Sequence, residues 1–414
     1  MSTTPTTRSR RRPPVAAVTP RPTVPQRLAA LPTATCLTAV TAVLCIFGLV
    51  MVGSASPVIS VSLYGSPWII LERQFLWMGL GVIAFAACAR IDYRKWRTIR
   101  LPLLATTMVL LVAVLLPGLG VTAGGSSRWI GFGQFRLQPS ELMKLALVVF
   151  AADLLTRRAD RVAEARWVLY PVLGVLGVSA VLILKQPDMG TAMVLCCIAF
   201  GMLFMGGVPM RPILKTVAVF VFLALVVGLV DPYRRDRILS FLRPGANKAG
   251  SGYQVWQSLI GLGSGHLFGL GLGGGRQKWG LLPNAHTDFI FSVVGEELGL
   301  VGAVALLGLF LLLAWFGLRV GTQAADRFGS LMAVGITLWL TSEALINIGA
   351  VIGVLPVTGI PLPFISYGGS SLVIAMAAVG ILRNVAVHGR APRRPPARRP
   401  PARRPPARRP PALS

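Results

Sequence analysis

Asp288 is the residue of this sequence best placed to do chemistry. It stands in a polar island, residues 253–297, YQVWQSLIGLGSGHLFGLGLGGGRQKWGLLPNAHTDFIFSVVGEE, flanked by long apolar runs. A carboxylate where Asp-Phe-Ile-Phe turns apolar stands at the lip of a hydrophobic phase. There it can serve as a general base that takes a proton from a hydroxyl, or it can simply cap the helix that follows. Glu296 and Glu297 lie about two turns further along a helix, as supporting groups or as partners for a buried Arg or Lys. With three His in the chain and no HxxxH or HExxH pattern, His286 makes no dedicated zinc site. No Ser-His-Asp or Cys-His pattern stands out. Gly269-Leu-Gly-Leu-Gly-Gly274 fits G-x-G-x-x-G, but no strand-turn-helix unit frames it. It reads as a compact re-entrant loop that can approach a bulky headgroup, not as a dinucleotide site.

Other charged residues fall in apolar surroundings. Glu141 and Lys144 are three residues apart, so on a helix they share one face. Ionised groups in such a run are costly, and they face a partner or a polar cavity. A structural ion pair and a functional contact both fit, with Arg128 in the loop just upstream. Lys185-Gln-Pro-Asp188 sets opposite charges in a turn, either as a salt bridge or as a ligand contact.

These residues must be held by membrane-spanning helices. The chain has 414 residues, of which 54% are hydrophobic and 13% charged, with mean hydropathy +0.68. A soluble protein carries about 25% charged residues. Apolar runs near the length of ~20 residues that crosses a bilayer recur at 34–52, 75–89, 101–116, 139–155, 168–184, 191–205, 213–230, 289–318, 328–350 and 370–387. The expected fold is an all-α polytopic membrane protein of about ten transmembrane helices. Its organisation is a basic tail at 1–33, a membrane domain at 34–387 and an Arg/Pro tail at 388–414.

Charge supplies the orientation. Of the net +27, six Arg lie in residues 1–30 and nine in 388–414, with no acid in either, leaving +12 elsewhere. Together with the stretches 90–100, 157–166, 211–215 and 319–327, the tails hold 28 of the 41 Lys and Arg. By the positive-inside rule both termini are cytoplasmic. The loops at 118–138, 185–190, 231–287 and 351–369 then face outward, the largest between helices 7 and 8. Arg128, Arg234, Arg235, Arg237, Arg243, Arg276 and Lys278 lie on that outer side, as a solvated rim or as a set that holds an anionic ligand.

The tails interleave Arg with Pro and carry no aromatic residue for stacking on bases, which argues against nucleic acid. The C-terminal tail repeats Arg-Arg-Pro-Pro-Ala from 393, 398, 403 and 408. It reads as a low-complexity, polyproline-type segment. The N-terminal tail lacks the short apolar region of a cleavable signal peptide. The five Cys lie in apolar runs without CxxC spacing, so no disulfide framework is implied.

Five motifs in order carry a resemblance. GGSSRWIGFGQFRLQPSELMK at 124–144, KQPDMGT at 185–191, YQVWQSLIGLGSG at 253–265, RQKWGLLPNAHTDFIFSVVGEELGLVG at 276–302 and PVTGIPLPFISYGGSS at 356–371 resemble the SEDS family of shape, elongation, division and sporulation proteins. The likeness spans residues 34–387. YQVWQSLI and RQKWGLLPNAHTDFIF look more like the division-type branch, while GIPLPFISYGGSS is also familiar from the elongation type. His266 stands where the family often has Gly.

The resemblance implies a ten-span peptidoglycan glycosyltransferase in the cytoplasmic membrane, at the division septum. It would polymerise lipid II on the outer face and work with a class B penicillin-binding protein transpeptidase and other divisome proteins. Asp288 matches the essential Asp of the family's HTDFIF motif. Arg128, Glu141 and Lys144 match sensitive positions in GSSRW and QPSE…K. Lys185, Asp188, Arg276 and Lys278 complete the expected substrate-binding set. No organic cofactor is expected, and a divalent cation, Mg or Mn, is a candidate aid to the leaving pyrophosphate. Two rivals remain: a lipid II flippase, which needs a polar path to both faces, and a non-catalytic scaffold, which tolerates loss of Asp288.

Overall fold

The computed structural model describes residues 32–123, 126–132, 135–230, 235 and 252–388. The repeats of the C-terminal tail, nearly all of the N-terminal tail, and Arg234, Arg237 and Arg243 lie outside the described residues.

Each of the ten apolar runs forms a helix: α1 Thr33–Ala55, α3 Ile69–Arg90, α4 Arg100–Ala113, α5 Pro139–Arg157, α6 Leu169–Lys185, α7 Met189–Met205, α8 Met210–Val230, α10 Ile290–Gln323, α11 Arg327–Val351 and α12 Ser370–His388. Among the described residues, α-helices also form where the sequence reads as polar connection, at α2 Pro57–Tyr64 and α9 Tyr253–Ser264. Six of these helices are long and apolar enough to cross a membrane by length and composition: α1, α3, α8, α10, α11 and α12. Large apolar side chains stay exposed along them, as at Ile46, Ile83, Phe222 and Val304. Such a surface is stable against lipid and not against water.

The expectation of an all-α fold needs one correction. Residues 120–137 form a three-stranded antiparallel sheet, β1 Gly120–Ala123, β2 Ser126–Phe132 and β3 Phe135–Leu137, in the order β1-β2-β3. Trp129 pairs with Val121, and Ile130 with both Gly120 and Leu137. These β-branched and aromatic residues suit a pleated ribbon. The intervening Gly and Ser make the same stretch read as a loop.

α12 packs chiefly on α3, and α10 on α11 and α1. α11 is the most enclosed of the long helices, with Trp339 fully buried. At one end of the bundle, Asp153 on α5 gathers Arg97, Arg100 and Arg157 at 2.7, 2.7 and 3.0 Å. At the same end Tyr93 and Arg94 bond to Asp326, at 2.6 and 3.1 Å. The sheet and the turns at 185–188, 282–289 and 353–369 gather at the opposite end.

Candidate active site

Asp288 lies just before α10, half-buried. The N-cap of α10 is Phe289, so Asp288 sits one residue upstream of the cap. Its backbone is fixed from two sides. Asn347 on α11 donates from Nδ2 to Asp288 O at 2.7 Å and to Ile360 O at 2.8 Å. Ser366 donates from Oγ to Thr287 O at 2.6 Å and accepts from Leu362 N–H at 2.8 Å. Tyr367 N–H donates to His286 O at 3.0 Å. The 282–289 turn is thereby stitched to the Pro/Gly-rich 356–369 segment, and every buried carbonyl so engaged is satisfied.

Asp288 and Arg128 meet at Gly359. A Cβ built on Gly359 would stand 3.6 Å from Asp288 Oδ2 and 3.8 Å from Arg128 Nη1. Arg128 reaches there from β2, with its guanidinium donating to Gln186 O at 3.1 Å and to Pro187 O. The site therefore pairs a carboxylate with a fixed cation across a point left open by glycine. A nucleophile's proton and a developing negative charge are the two things such a pair can serve. Burial pushes the His286 imidazole down to about 4, so it is neutral at pH 7.

Asp188 caps α7, accepting from Thr191 N–H at 3.1 Å and Thr191 Oγ1 at 2.9 Å, and from Gln138 Nε2 at 3.3 Å. Lys185, at the end of α6, is exposed. α7 begins hard against the 358–360 segment, because a Cβ on Gly190 would meet Ile360 Cγ2 at 2.4 Å.

Below this lip lies the charge pair on α5. Lys144 Nζ donates at 2.8 Å to Glu141 and at 2.8 Å to Glu343 on α11, and Trp339 Nε1 donates to the other Glu343 oxygen at 2.7 Å. All three charged side chains are at most 4% exposed. Glu343 and Asn347 were not singled out from sequence. Their signal was present: a carboxylate inside the apolar run 328–350, with an amide one turn on.

Arg276 and Lys278 belong to a second cluster. Lys278 is buried, its Nζ 2.7 Å from Glu297 Oε1 and 3.1 Å from Ser54 Oγ, and Ser54 itself donates to Glu297 at 2.6 Å. Arg276 is exposed, and its backbone N–H donates to Glu296 at 2.8 Å. Arg235 is exposed. Glycine builds this cluster. At Gly299 (φ 68°, ψ −167°) the helix α10 breaks. The carbonyls of Glu296 and Glu297 then accept from Leu270 and Gly271 N–H, both at 3.0 Å, while Leu300 and Val301 N–H donate to His266 and Leu267 O at 2.9 and 3.1 Å. The compact Gly-rich loop is docked into the broken helix. His266 takes the left-handed conformation, φ 46°, that glycine adopts freely.

Comparison with known proteins gives the same family. The profile of the FtsW/RodA/SpoVE family, described as "Cell cycle protein", matches residues 34–391. Stage V sporulation protein E of Bacillus subtilis is 43% identical over 361 residues, 86% of this chain and 97% of that protein. The Geobacter metallireducens protein named "Probable peptidoglycan glycosyltransferase FtsW" is 44% identical over 341 residues, 82% of this chain and 91% of its own. Among solved structures, a chain from a study of how a peptidoglycan synthase complex coordinates polymerization and crosslinking aligns with TM-score 0.72 and 30% identity, covering 85% of this chain and 97% of that one. The rod shape determining protein RodA of Thermus thermophilus aligns with TM-score 0.64 and 29% identity, over 85% of this chain and 96% of that one. With motifs, profile, relatives and helical arrangement in agreement, the chain belongs to the FtsW/RodA/SpoVE family of cell cycle proteins.

Proposed function

We infer that this protein is a peptidoglycan glycosyltransferase that polymerises lipid II during cell division, with Asp288 as general base. The observation that carries the reading is the meeting of Asp288 and Arg128 at Gly359. Asp288 takes the proton from the C4 hydroxyl of the acceptor saccharide. The oxygen attacks the anomeric carbon of the donor, the bond to pyrophosphate breaks, and undecaprenyl pyrophosphate leaves. Arg128 faces the developing negative charge. Single displacement inverts the anomeric centre.

The basic end of the bundle is cytoplasmic, with both termini and all ten helices spanning, and the Asp288 end faces outward. Among the described residues no three His, Cys, Asp or Glu side chains converge to hold a metal ion. A divalent cation would enter with the pyrophosphate, whose oxygens and one or two carboxylates suffice to bind it. The partner is a class B penicillin-binding protein at the division septum. The study of coordinated polymerization and crosslinking that yielded a similar chain supports this pairing.

A flippase is disfavoured by the interior of α5. Between Lys144 and Asp153 every residue from Leu145 to Ala152 is apolar, and all but Phe150 are buried. The polar lip and the basic end are thus separated along this helix by an apolar stretch. A scaffold gives no reason for Asp288 and Arg128 to converge.

The deciding experiment is lipid II polymerisation by purified protein with its co-expressed partner, comparing wild type with Asp288→Asn. Loss of glycan product by ~10²-fold or more, at equal folding and partner binding, is expected for a general base. Equal product from both would remove Asp288 from the mechanism. Transfer of lipid II across liposomes without polymerisation would establish the flippase.

A further inference from the structure

A charged cluster lies at the basic end of the bundle, far from Asp288, in the turn between α5 and α6. Arg158, Arg161 and Arg166 converge on one aromatic ring, their guanidinium carbons 5.4, 5.1 and 5.1 Å from the Trp167 centroid. Trp167 is half-buried. Its indole N–H donates to Glu164 at 2.9 Å, and its carbonyl accepts from Arg158. Glu164 also faces Arg166, at 3.6 Å.

Two acids, Asp160 and Glu164, stand in this turn against three arginines. The nearby Asp153 cannot help, because it already gathers Arg97, Arg100 and Arg157. Stacking on the indole offsets part of the repulsion among three guanidiniums. The remainder is positive charge fixed at one spot, with planar donors that match phosphate oxygens.

The location narrows the ligand. α5 ends at Arg157 and α6 begins at Leu169, so the cluster sits where helices leave the apolar phase. Trp167 and the exposed Tyr170 mark that boundary, as interfacial aromatics do. Beyond them α6 exposes Val178 and Val181. A ligand held here meets cations at its head and an apolar wall along its length.

We propose that the 158–170 turn binds the phosphate headgroup of an anionic phospholipid, its acyl chains lying along α6. The guanidiniums of Arg161 and Arg166 hold the phosphate oxygens, Arg158 braces the ring, and Trp167 sets the depth. The site is separate from the Asp288 lip and does not depend on its chemistry.

The test uses the full-length protein in a mild detergent, titrated with phosphatidylglycerol or with phosphatidylcholine and read by native mass spectrometry. Wild type is expected to retain phosphatidylglycerol preferentially. The double variant Arg161→Gln/Arg166→Gln, both positions being exposed, is expected to fold and to lose retention about tenfold. Its melting temperature without anionic lipid provides the folding control, and Arg161→Lys/Arg166→Lys should keep part of the retention. Should the Gln variant misfold, the wild-type protein decides: headgroup binding predicts retention that falls steeply with added salt. Equal retention of phosphatidylcholine by wild type would overturn the proposal. So would undiminished phosphatidylglycerol binding by a folded Gln variant, or its displacement by equimolar soluble glycerol phosphate, which would mark a free-phosphate site.

Discussion

Asp288 Oδ2 stands 3.6 Å from the point where Gly359 would carry a side chain, with Gly359 at φ 69°. Glycine suits the left-handed backbone there and leaves the point between the Asp288 and Arg128 side chains open. Gly359→Ala places its Cβ at ordinary contact distance but strains the backbone by about 1–2 kcal/mol. It should lower the melting temperature while leaving measurable polymerisation. Gly359→Leu should fill the space between Asp288 and Arg128 and abolish product at saturating lipid II. A fully active Gly359→Leu would show that substrate does not occupy this point.

Lys144 is the shared ion-pair partner of two buried carboxylates, Glu141 and Glu343. Lys144→Met leaves both uncompensated and should destabilise the protein by roughly 3–5 kcal/mol. The triple variant Glu141→Gln/Lys144→Met/Glu343→Gln should recover much of that loss. Thermal melts in detergent measure both. Activity that stays absent in a well-folded triple variant would assign the cluster a role beyond packing.

The docked Gly-rich loop predicts opposite effects at two positions. A Cβ on Gly299 would meet Gly269 N at 2.4 Å and Leu267 O at 2.5 Å, in a backbone region that is essentially glycine-only. Gly299→Ala should undock the loop and expose 265–282 to limited proteolysis. His266→Gly relieves a left-handed residue and should stabilise by up to ~1 kcal/mol. Equal proteolysis of wild type and Gly299→Ala would refute the docking.

His286 carries a pH prediction. Its folded value is lowered from 6.5 to about 4 by burial. Below pH 6.5 the unfolded chain takes up the proton and the folded chain does not, so stability is full above about 6.5 and declines as pH falls toward about 4. His286→Phe should flatten that decline in a pH series of melting temperatures. An unchanged slope would mean that the imidazole is solvated.

Much of this protein was legible in its sequence. Hydrophobic runs determined the helices, because a bilayer demands length and apolarity whatever the neighbours are. Arg and Lys segregation separated a basic end from a Gly-rich end. Asp288 stood out because a carboxylate at the edge of an apolar run is costly unless used. Tertiary structure decided who meets whom. Lys144 is shared between Glu141, three residues away, and Glu343, which lies 199 residues along the chain. Lys278 turned inward to Glu297 and Ser54, although its place in a polar loop looks the same as that of the exposed Arg276. Gly359 joined Asp288 to Arg128. Local spacing reports only neighbours on one helix face. Contacts between distant segments depend on how helices cross and where a glycine lets two backbones approach, and these are settled only when the whole bundle packs.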